Sequence, residues 1–228
     1  MPEFEKLFWE QGYAVVEGLF QPAEMAGVME SVLAHYKTAP PANWNPNFLP
    51  YETLTDSWTP QAPENGPFDA FARHPKLAEL TAQLLGDDFA AQSCLMMQTR
   101  PGTGQAWHQD TSCVDPAKFI LNRILYPWAY PPEAGTIILV PGSHRRGRIP
   151  PGPNHEPIPG ELKLQPKPGT LVFLHSFTFH RVGINRWNSP RHTLNFRSRP
   201  ASCPPYYDSV GFYRSSAYDF GRQEVLDL

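Results

Sequence analysis

The chain has 228 residues, a formal net charge of -3 at pH 7 and a hydrophobic fraction of 41%, a balance typical of a globular protein and not of a disordered one. It contains no apolar run of about 18 residues, as a membrane span would need, and its acidic N-terminus lacks the apolar segment of a secretion signal. A sequence pI near 6.2, without a basic cluster, argues against binding to nucleic acid.

The cysteine and proline contents further limit the class of protein to which the chain can belong. Three cysteines, Cys94, Cys113 and Cys203, cannot form a disulfide framework, so we expect them to be reduced in a cytoplasmic protein. The 27 prolines argue against a helical bundle, because proline breaks helix interiors. Nothing in the sequence indicates the oligomeric state.

The first ninety residues are predicted to be mostly helical. Apolar residues at three- and four-residue spacing indicate an N-terminal helix that ends at Gly12, and a short strand is predicted over 13–20. A second helix follows, and a third is predicted over 68–85 with an interruption at Pro75. Residues 37–66 have no clear period and predict a long ordered loop, which either covers a binding site or packs on the sheet.

From residue 89 onward the pattern changes to short apolar runs separated by turn residues. Such a series predicts an all-β sandwich or barrel. The predicted strands lie at 92–99, 118–126, 135–140, 161–164, 169–174 and 192–198. The aromatic C-terminal segment is predicted to pack against the rest of the protein.

No segment has the composition of a linker between domains, so we predict one domain over residues 1–228. Its parts are a helical support with a lid loop (1–90), a β core (91–200) and a packed tail (201–228).

The segment Trp107-His108-Gln109-Asp110 carries the first chemical signal. At the end of a strand, residues two apart point to the same side, so His108 and Asp110 can bind one cation together. A later histidine on a neighbouring strand would complete a 2-His-1-carboxylate triad, which is typical of non-haem Fe(II) oxygenases. The pair alone also fits a solvated histidine beside an aspartate in a turn.

Two histidines, His175 and His180, follow the predicted strand at 169–174, and each has an arginine eleven residues further on, Arg186 and Arg191 respectively. The spacing alone leaves both pairs open. An Fe(II) triad that activates O2 takes electrons from a co-substrate, commonly 2-oxoglutarate. The distal carboxylate of 2-oxoglutarate suits an arginine, which binds carboxylates through two parallel hydrogen bonds.

Over nearly its whole length the chain resembles the phytanoyl-CoA dioxygenase family of Fe(II)/2-oxoglutarate oxygenases. The order and spacing of the matching segments carry this resemblance more than any single segment does. They are Gly12-Tyr13, Pro101-Gly102, Trp107-His108-Gln109-Asp110, the strand from Gly135 to Pro141-Gly142-Ser143-His144, and Gly169 to His175 with His180, Gly183, Asn185 and Arg191.

The resemblance implies a mainly β fold, a double-stranded β-helix (a cupin-like jelly roll) with N-terminal helices packed outside. It implies that His108, Asp110 and His180 are catalytic and bind Fe(II), and that Arg191 holds the distal carboxylate of 2-oxoglutarate. His175 would then belong to the core. Family members that halogenate have a small residue in place of the carboxylate, so Asp110 favours hydroxylation.

Each of the other candidate side chains allows two interpretations. Gln98 and Asn122 are predicted to contact 2-oxoglutarate, although Gln98 fits a structural or exposed role equally well. His144 fits a turn better than a metal ligand. Trp107 fits either a wall of the site or packing, and Arg197 is expected to be solvated at a strand end rather than to meet an acidic substrate.

The predicted function is an Fe(II)- and 2-oxoglutarate-dependent dioxygenase that uses O2 to hydroxylate an unactivated C–H bond of a small molecule, with release of succinate and CO2. One alternative is a cupin-like isomerase or hydrolase that uses the triad with zinc or manganese. Another is a non-catalytic binding module on the same fold. Arg191 disfavours both, because neither needs a carboxylate clamp. No membrane or nucleic-acid partner is expected.

Overall fold

A computed structural model describes residues 3–38, 54–58, 74–111, 115–149 and 155–203. Three α-helices lie in these ranges: α1 (Glu3–Gln11), α2 (Pro22–Thr38) and α3 (Pro75–Leu85). The strands are β1 (Tyr13–Val16), β2 (Leu54–Trp58), β3 (Ala90–Thr99), β4 (Gln105–His108), β5 (Leu121–Tyr126), β6 (Ile137–Leu139), β7 (Leu162–Lys163), β8 (Thr170–His175), β9 (His180–Val182) and β10 (Arg191–Arg199). Short 3-10 helices occupy Pro132–Ala134 and Ser143–Arg146.

The strands form two antiparallel sheets. The major sheet has the order β1-β8-β5-β10-β3-β2, and the minor sheet has the order β4-β9-β6-β7. Neighbours in each sheet are mostly distant in sequence, as in a jelly roll. The predicted mainly β jelly roll with helices packed outside is therefore confirmed.

The outer face of the major sheet is covered by the helices. Phe8 of α1, Met25 of α2 and Leu77 of α3 are fully buried in one apolar cluster with Leu194 and Phe196 of β10. Burying a side chain of this size contributes about 1.5–3 kcal/mol. The helices therefore hold the outer face of the major sheet, and the alternate residues of its strands point inward.

The interior between the two sheets is apolar at one end. Ile124 and Val172 of the major sheet pack there against Ile137 and Leu139 of the minor sheet. The outer face of the minor sheet has its own smaller cluster, formed by Trp107, Ile138, Val140 and Phe179. Because strands alternate their side chains, Trp107 and its neighbour His108 lie on opposite faces of β4.

Gly12 joins α1 to the strands near the predicted site. Its φ of +79° lies in the left-handed region, which favours glycine. Its carbonyl accepts hydrogen bonds from the backbone N–H of His175 at 2.9 Å and from the Thr178 hydroxyl at 2.7 Å. A Cβ at this position would overlap Thr178 and the His144 ring, so the close approach requires glycine.

Two expectations need correction. The loop predicted over 37–66 is wrong at Leu54–Trp58, which forms edge strand β2 and pairs with β3. The predicted strand over 13–20 is shorter and ends at Val16. The rest of the predicted lid loop beyond Thr38, and the predicted tail beyond Cys203, lie outside the described residues. Among the residues that the structure describes, no helix is long and apolar enough to cross a bilayer.

Candidate metal centre

His108, Asp110 and His180 come together between the two sheets, as the sequence predicts. His108 ends β4, His180 begins β9, and the two residues are paired in the ladder of the minor sheet. Their Nε2 atoms each lie 3.6 Å from a different oxygen of Asp110. All three residues are buried, and one ligand atom from each lies within 4.8 Å of the other two. Two imidazoles and one carboxylate at this spacing can bind one divalent metal ion.

Backbone carbonyls orient both imidazole rings. The Nδ1 atom of His108 lies 2.6 Å from the carbonyl oxygen of Ala106, and that of His180 lies 2.8 Å from the carbonyl oxygen of Thr178. Because a carbonyl only accepts, each Nδ1 carries the proton and each Nε2 presents a lone pair to the centre. This arrangement is the usual support of a metal-bound histidine.

A chain of buried amides holds the Asp110 carboxylate. Asn122 donates its Nδ2–H to Asp110 Oδ2 at 2.9 Å, and Asn195 donates to Asn122 Oδ1 at 2.9 Å. The Asp110 backbone N–H donates to the carbonyl of Ser176 at 2.8 Å, and Arg197 Nη2 donates to the Asp110 carbonyl at 3.3 Å. These bonds fix the carboxylate between the two rings.

The electrostatics suit a metal ligand set. Burial opposes ionisation of Asp110, but its interactions with His180 and His108 and the positive charge of Arg197 outweigh this effect and lower the pKa of the carboxyl group. Burial, and then the neighbouring His108, lowers the pKa of His180 to about 4. At pH 7 the centre therefore has an ionised carboxylate and a neutral His180 imidazole, and metals bind these forms.

Arg191 lies on the inner face of β10 and is 2% exposed. Its Nη2 donates to the hydroxyl of Thr99 at 2.9 Å, and its guanidinium carbon lies 5.6 Å from the ring centroid of Tyr126. Its Nε and Nη1 atoms have no hydrogen-bond partner among the described residues. A buried guanidinium with free donors fits the carboxylate of a ligand.

Arg191 shares its strand face with the residues around Asp110. It is four residues from Asn195 on β10, an even separation that places both side chains on the same face, roughly 13 Å apart along the strand. Since Asn195 reaches Asp110 through Asn122, the donors of Arg191 and the ligand triad occupy the same interior space. His180, and not His175, is therefore the histidine that lies beside His108 and Asp110, and Arg191 faces the same interior.

Of the two other residues predicted to contact 2-oxoglutarate, Gln98 faces away from the triad and Asn122 is hydrogen-bonded to neighbouring side chains. Gln98 is opposite His192 in the β3–β10 ladder, and the Nε2 atoms of the two side chains are 3.0 Å apart. Because Thr99 bonds Arg191, its neighbour Gln98 faces away from the interior, so the structure favours the structural role of Gln98 over the predicted contact with 2-oxoglutarate. Asn122 does face inward, but its amide binds Asp110 and Asn195.

Arg197 is a buried neighbour of Asp110 that the sequence analysis does not predict. It was expected to be solvated, but it is 2% exposed, because β10 continues to Arg199 in the middle of the major sheet. The signal was present in the sequence: Arg191, Asn195 and Arg197 are separated by even numbers of residues, so all three face inward.

Two other histidines, His175 and His144, and Trp107 have structural roles. His175 is buried and stacks on Phe119 with ring centroids 4.1 Å apart. His144 lies in its 3-10 turn with Nε2 3.2 Å from the carbonyl oxygen of Trp9. Trp107 stacks on Phe179 on the face of the minor sheet opposite the triad.

The fold and the triad define a jelly-roll protein with a 2-His-1-carboxylate cluster that can bind a metal ion. The family model described as phytanoyl-CoA dioxygenase (PhyH) matches residues 8–193. The chain therefore belongs to the phytanoyl-CoA dioxygenase family of Fe(II)/2-oxoglutarate-dependent oxygenases.

Three solved structures show the same fold. The non-haem α-ketoglutarate-dependent carbocyclase SnoK from nogalamycin biosynthesis has a TM-score of 0.74 and 18% identity, covering 100% of this chain and 93% of that one. The epimerase SnoN, solved with Fe3+, α-ketoglutarate and a nogalamycin compound, has a TM-score of 0.71 and 19% identity, covering 96% and 92%. HygX from Streptomyces hygroscopicus, with nickel and 2-oxoglutarate bound, has a TM-score of 0.69 and 15% identity, covering 89% and 88%.

Proposed function

We propose that this protein is an Fe(II)- and 2-oxoglutarate-dependent dioxygenase that hydroxylates an unactivated C–H bond of a small molecule and releases succinate and CO2. The observation that carries the proposal is the pairing of a buried His-Asp-His triad with a buried arginine, Arg191, on the same interior space. Metal-dependent isomerases and hydrolases do not need a buried arginine beside the triad.

The donor set suits Fe(II). His108, Asp110 and His180 would hold the ion on one side and leave three positions for other ligands. When bound there, iron with 2-oxoglutarate supplies the oxidation chemistry that protein side chains lack. Arg191 would bind the distal carboxylate of 2-oxoglutarate, and Thr99 would orient the guanidinium.

The chain's own residues perform three tasks in this reaction. The amide chain of Asn122 and Asn195 keeps the Asp110 carboxylate in place. The carbonyls of Ala106 and Thr178 keep both imidazoles in the metal-binding tautomer. The apolar cluster around Ile124 and the other inner-face residues excludes water from the space beside the triad.

Hydroxylation is preferred to halogenation for one chemical reason. Asp110 occupies the ligand position that a halide would need, so halogenation has no place in this site. The carbocyclase and epimerase named above are relatives of similar fold, and a product gaining one oxygen atom would distinguish hydroxylation from ring closure or epimerisation.

The first experiment is an anaerobic titration of the metal-free protein with Fe(II) and 2-oxoglutarate. We expect the weak visible charge-transfer band of a keto acid chelated to a facial-triad iron, and its loss in His180→Ala. Iron binding without the band would favour the isomerase or hydrolase class. No metal binding at all would favour the non-catalytic module. A positive result leads to a substrate screen by succinate release.

We also propose that residues 1–228 form one domain and that the protein acts on its substrate in the cytoplasm. Both rest on the sequence: it has no linker composition, and three cysteines do not suit an oxidising compartment.

A further inference from the structure

The outer face of the minor sheet has a cavity of about 520 Å³, on the side away from the triad. Ile138 pairs with both Lys163 and Arg181 in the ladders of β6, so the three side chains form one row across the floor of the cavity. Arg181 is next to His180 on β9 and faces the opposite way. The cavity therefore lies directly behind a predicted metal ligand.

Arg181 is the central side chain of this cavity and is 7% exposed. Its Nη2 lies 3.4 Å from each carboxylate oxygen of Glu161, and its guanidinium carbon lies 5.1 Å from the centroid of Trp107. Its Nε has no hydrogen-bond partner among the described residues. The two contacts with Glu161 are long, so the hydrogen-bonding capacity of this buried guanidinium is not fully used. A buried donor without a partner, such as Nε, is unfavourable.

The charge of the lining favours an anion. Arg181, Lys163 and Arg186 are opposed by two carboxylates, those of Glu133 and Glu161, which leaves a net positive charge. Burial, and then Arg181, lowers the pKa of the nearby His155, so its ring adds no charge at pH 7.

The apolar part of the lining limits the ligand further. Ile138, Ile184 and Pro157 contribute hydrophobic surface beside the cations. A cavity of this volume is in the range that holds small molecules. An inorganic ion would leave this surface in water, whereas an anionic group on a short apolar body would cover it.

We propose that this cavity binds a small molecule that carries a carboxylate or phosphate group on a short apolar body, with the anionic group between Arg181 and Lys163. The site is separate from the iron centre, because neither the triad nor Arg191 lines it. The proposal does not depend on the oxygenase reaction.

The test is calorimetric titration of the anaerobic Fe(II)- and 2-oxoglutarate-loaded protein with phenyl phosphate, benzoate and neutral phenol. We expect one or both anions to bind and phenol not to bind. Binding of phenyl phosphate alone would identify the ligand as a phosphorylated compound, and binding of benzoate as a carboxylic acid. Lys163→Gln and Arg181→Lys should each weaken binding about tenfold or more, as expected for a lost charge-assisted hydrogen bond.

Two variants serve as controls. Lys167→Gln removes an equal charge at an exposed ion pair with Glu17 and should leave anion binding unchanged. Arg191→Gln removes the cation predicted to bind 2-oxoglutarate and, at a 2-oxoglutarate concentration that saturates the variant, should also leave anion binding unchanged. The proposal is wrong if neither anion binds, if both cavity variants bind normally, or if only Arg191→Gln loses binding.

Discussion

At the scale of single residues, Arg191 offers the sharpest test of co-substrate binding. Arg191→Met should raise the dissociation constant of 2-oxoglutarate about 10- to 100-fold, because a charge-assisted pair contributes about 1.5–3 kcal/mol. Thr99→Val removes the hydrogen bond that orients the guanidinium and should raise this dissociation constant several-fold. Both constants can be measured from the charge-transfer band. Equal effects of the two substitutions would contradict a direct role for Arg191.

His175 makes a prediction about acid stability. Burial, and then the neighbouring His144, lowers the pKa of His175 to about 3, whereas an unfolded histidine titrates near 6.5. As pH falls from about 6.5 towards 3, the unfolded chain takes up a proton that the folded chain does not. The free energy of unfolding must then decrease, by up to about 1.4 kcal/mol per pH unit from this residue.

The measurement is urea unfolding of the metal-free protein at several pH values between about 7 and 4. His175→Phe should flatten the pH dependence, since phenylalanine keeps the stacking on Phe119 and cannot take up a proton. His180 and His192, whose pKa values burial lowers to about 4, remain in the variant and preserve part of the slope. An unchanged slope would show that His175 takes up its proton at the same pH in the folded protein as in the unfolded chain.

The residues whose positions the sequence predicts correctly differ in one physical respect from those whose positions it does not predict. His108 and Asp110 are two apart on one short segment, so local geometry was enough to place them together. Gln98 depended on the register of β3 against β10, and a shift of one residue reverses the face of every side chain in a strand. Arg197 depended on where β10 ends, which the neighbouring strands decide.

At the scale of secondary-structure elements, the junction between α1 and β1 can be tested with two glycines. Gly12 and Gly18 both have positive φ, but a Cβ would meet Thr178 and His144 at Gly12 and nothing within 4 Å at Gly18. Gly18→Ala should therefore destabilise the protein by about 1–2 kcal/mol, the conformational term alone.

Gly12→Ala should destabilise the protein by a further 1–3 kcal/mol or so, because overlap in a packed region adds strain. Urea unfolding of both variants gives the difference directly. Equal losses in the two variants would mean that α1 can move away from the β8–β9 connection at no cost, and that Gly12 serves only its turn.

The position of a strand in its sheet explains whether the sequence predicts it. Strands β5 and β8 are buried along their whole length. In the sequence β8 contains the apolar run 171–174, and β5 has apolar residues on both sides of Asn122 and Arg123. Strand β2 lies at the edge of the major sheet and exists by pairing with β3, far along the chain. Its sequence, Leu-Thr-Asp-Ser-Trp, has no apolar run that a local pattern could detect.

At the scale of the whole molecule, the triad joins two strands of the minor sheet to the amide chain of the major sheet. His108 and His180 come from β4 and β9, whereas Asp110 is bound by Asn122 of β5 and, through it, Asn195 of β10. A metal ion that binds all three ligands therefore holds the two sheets together. An unfolded chain has no such site, so metal binding must stabilise the folded state.

Fe(II) at about 100 times its dissociation constant should add about 2.7 kcal/mol and raise the melting temperature by several degrees for a chain of this size. Anaerobic thermal unfolding with Fe(II) and with a chelator measures this shift. His180→Ala should melt at the same temperature in both conditions, because it lacks a ligand. His175→Phe, a substitution of the other buried histidine on the same chain segment, should keep the full shift even if the variant is less stable. A shift that persists in His180→Ala would place the stabilising metal outside the triad.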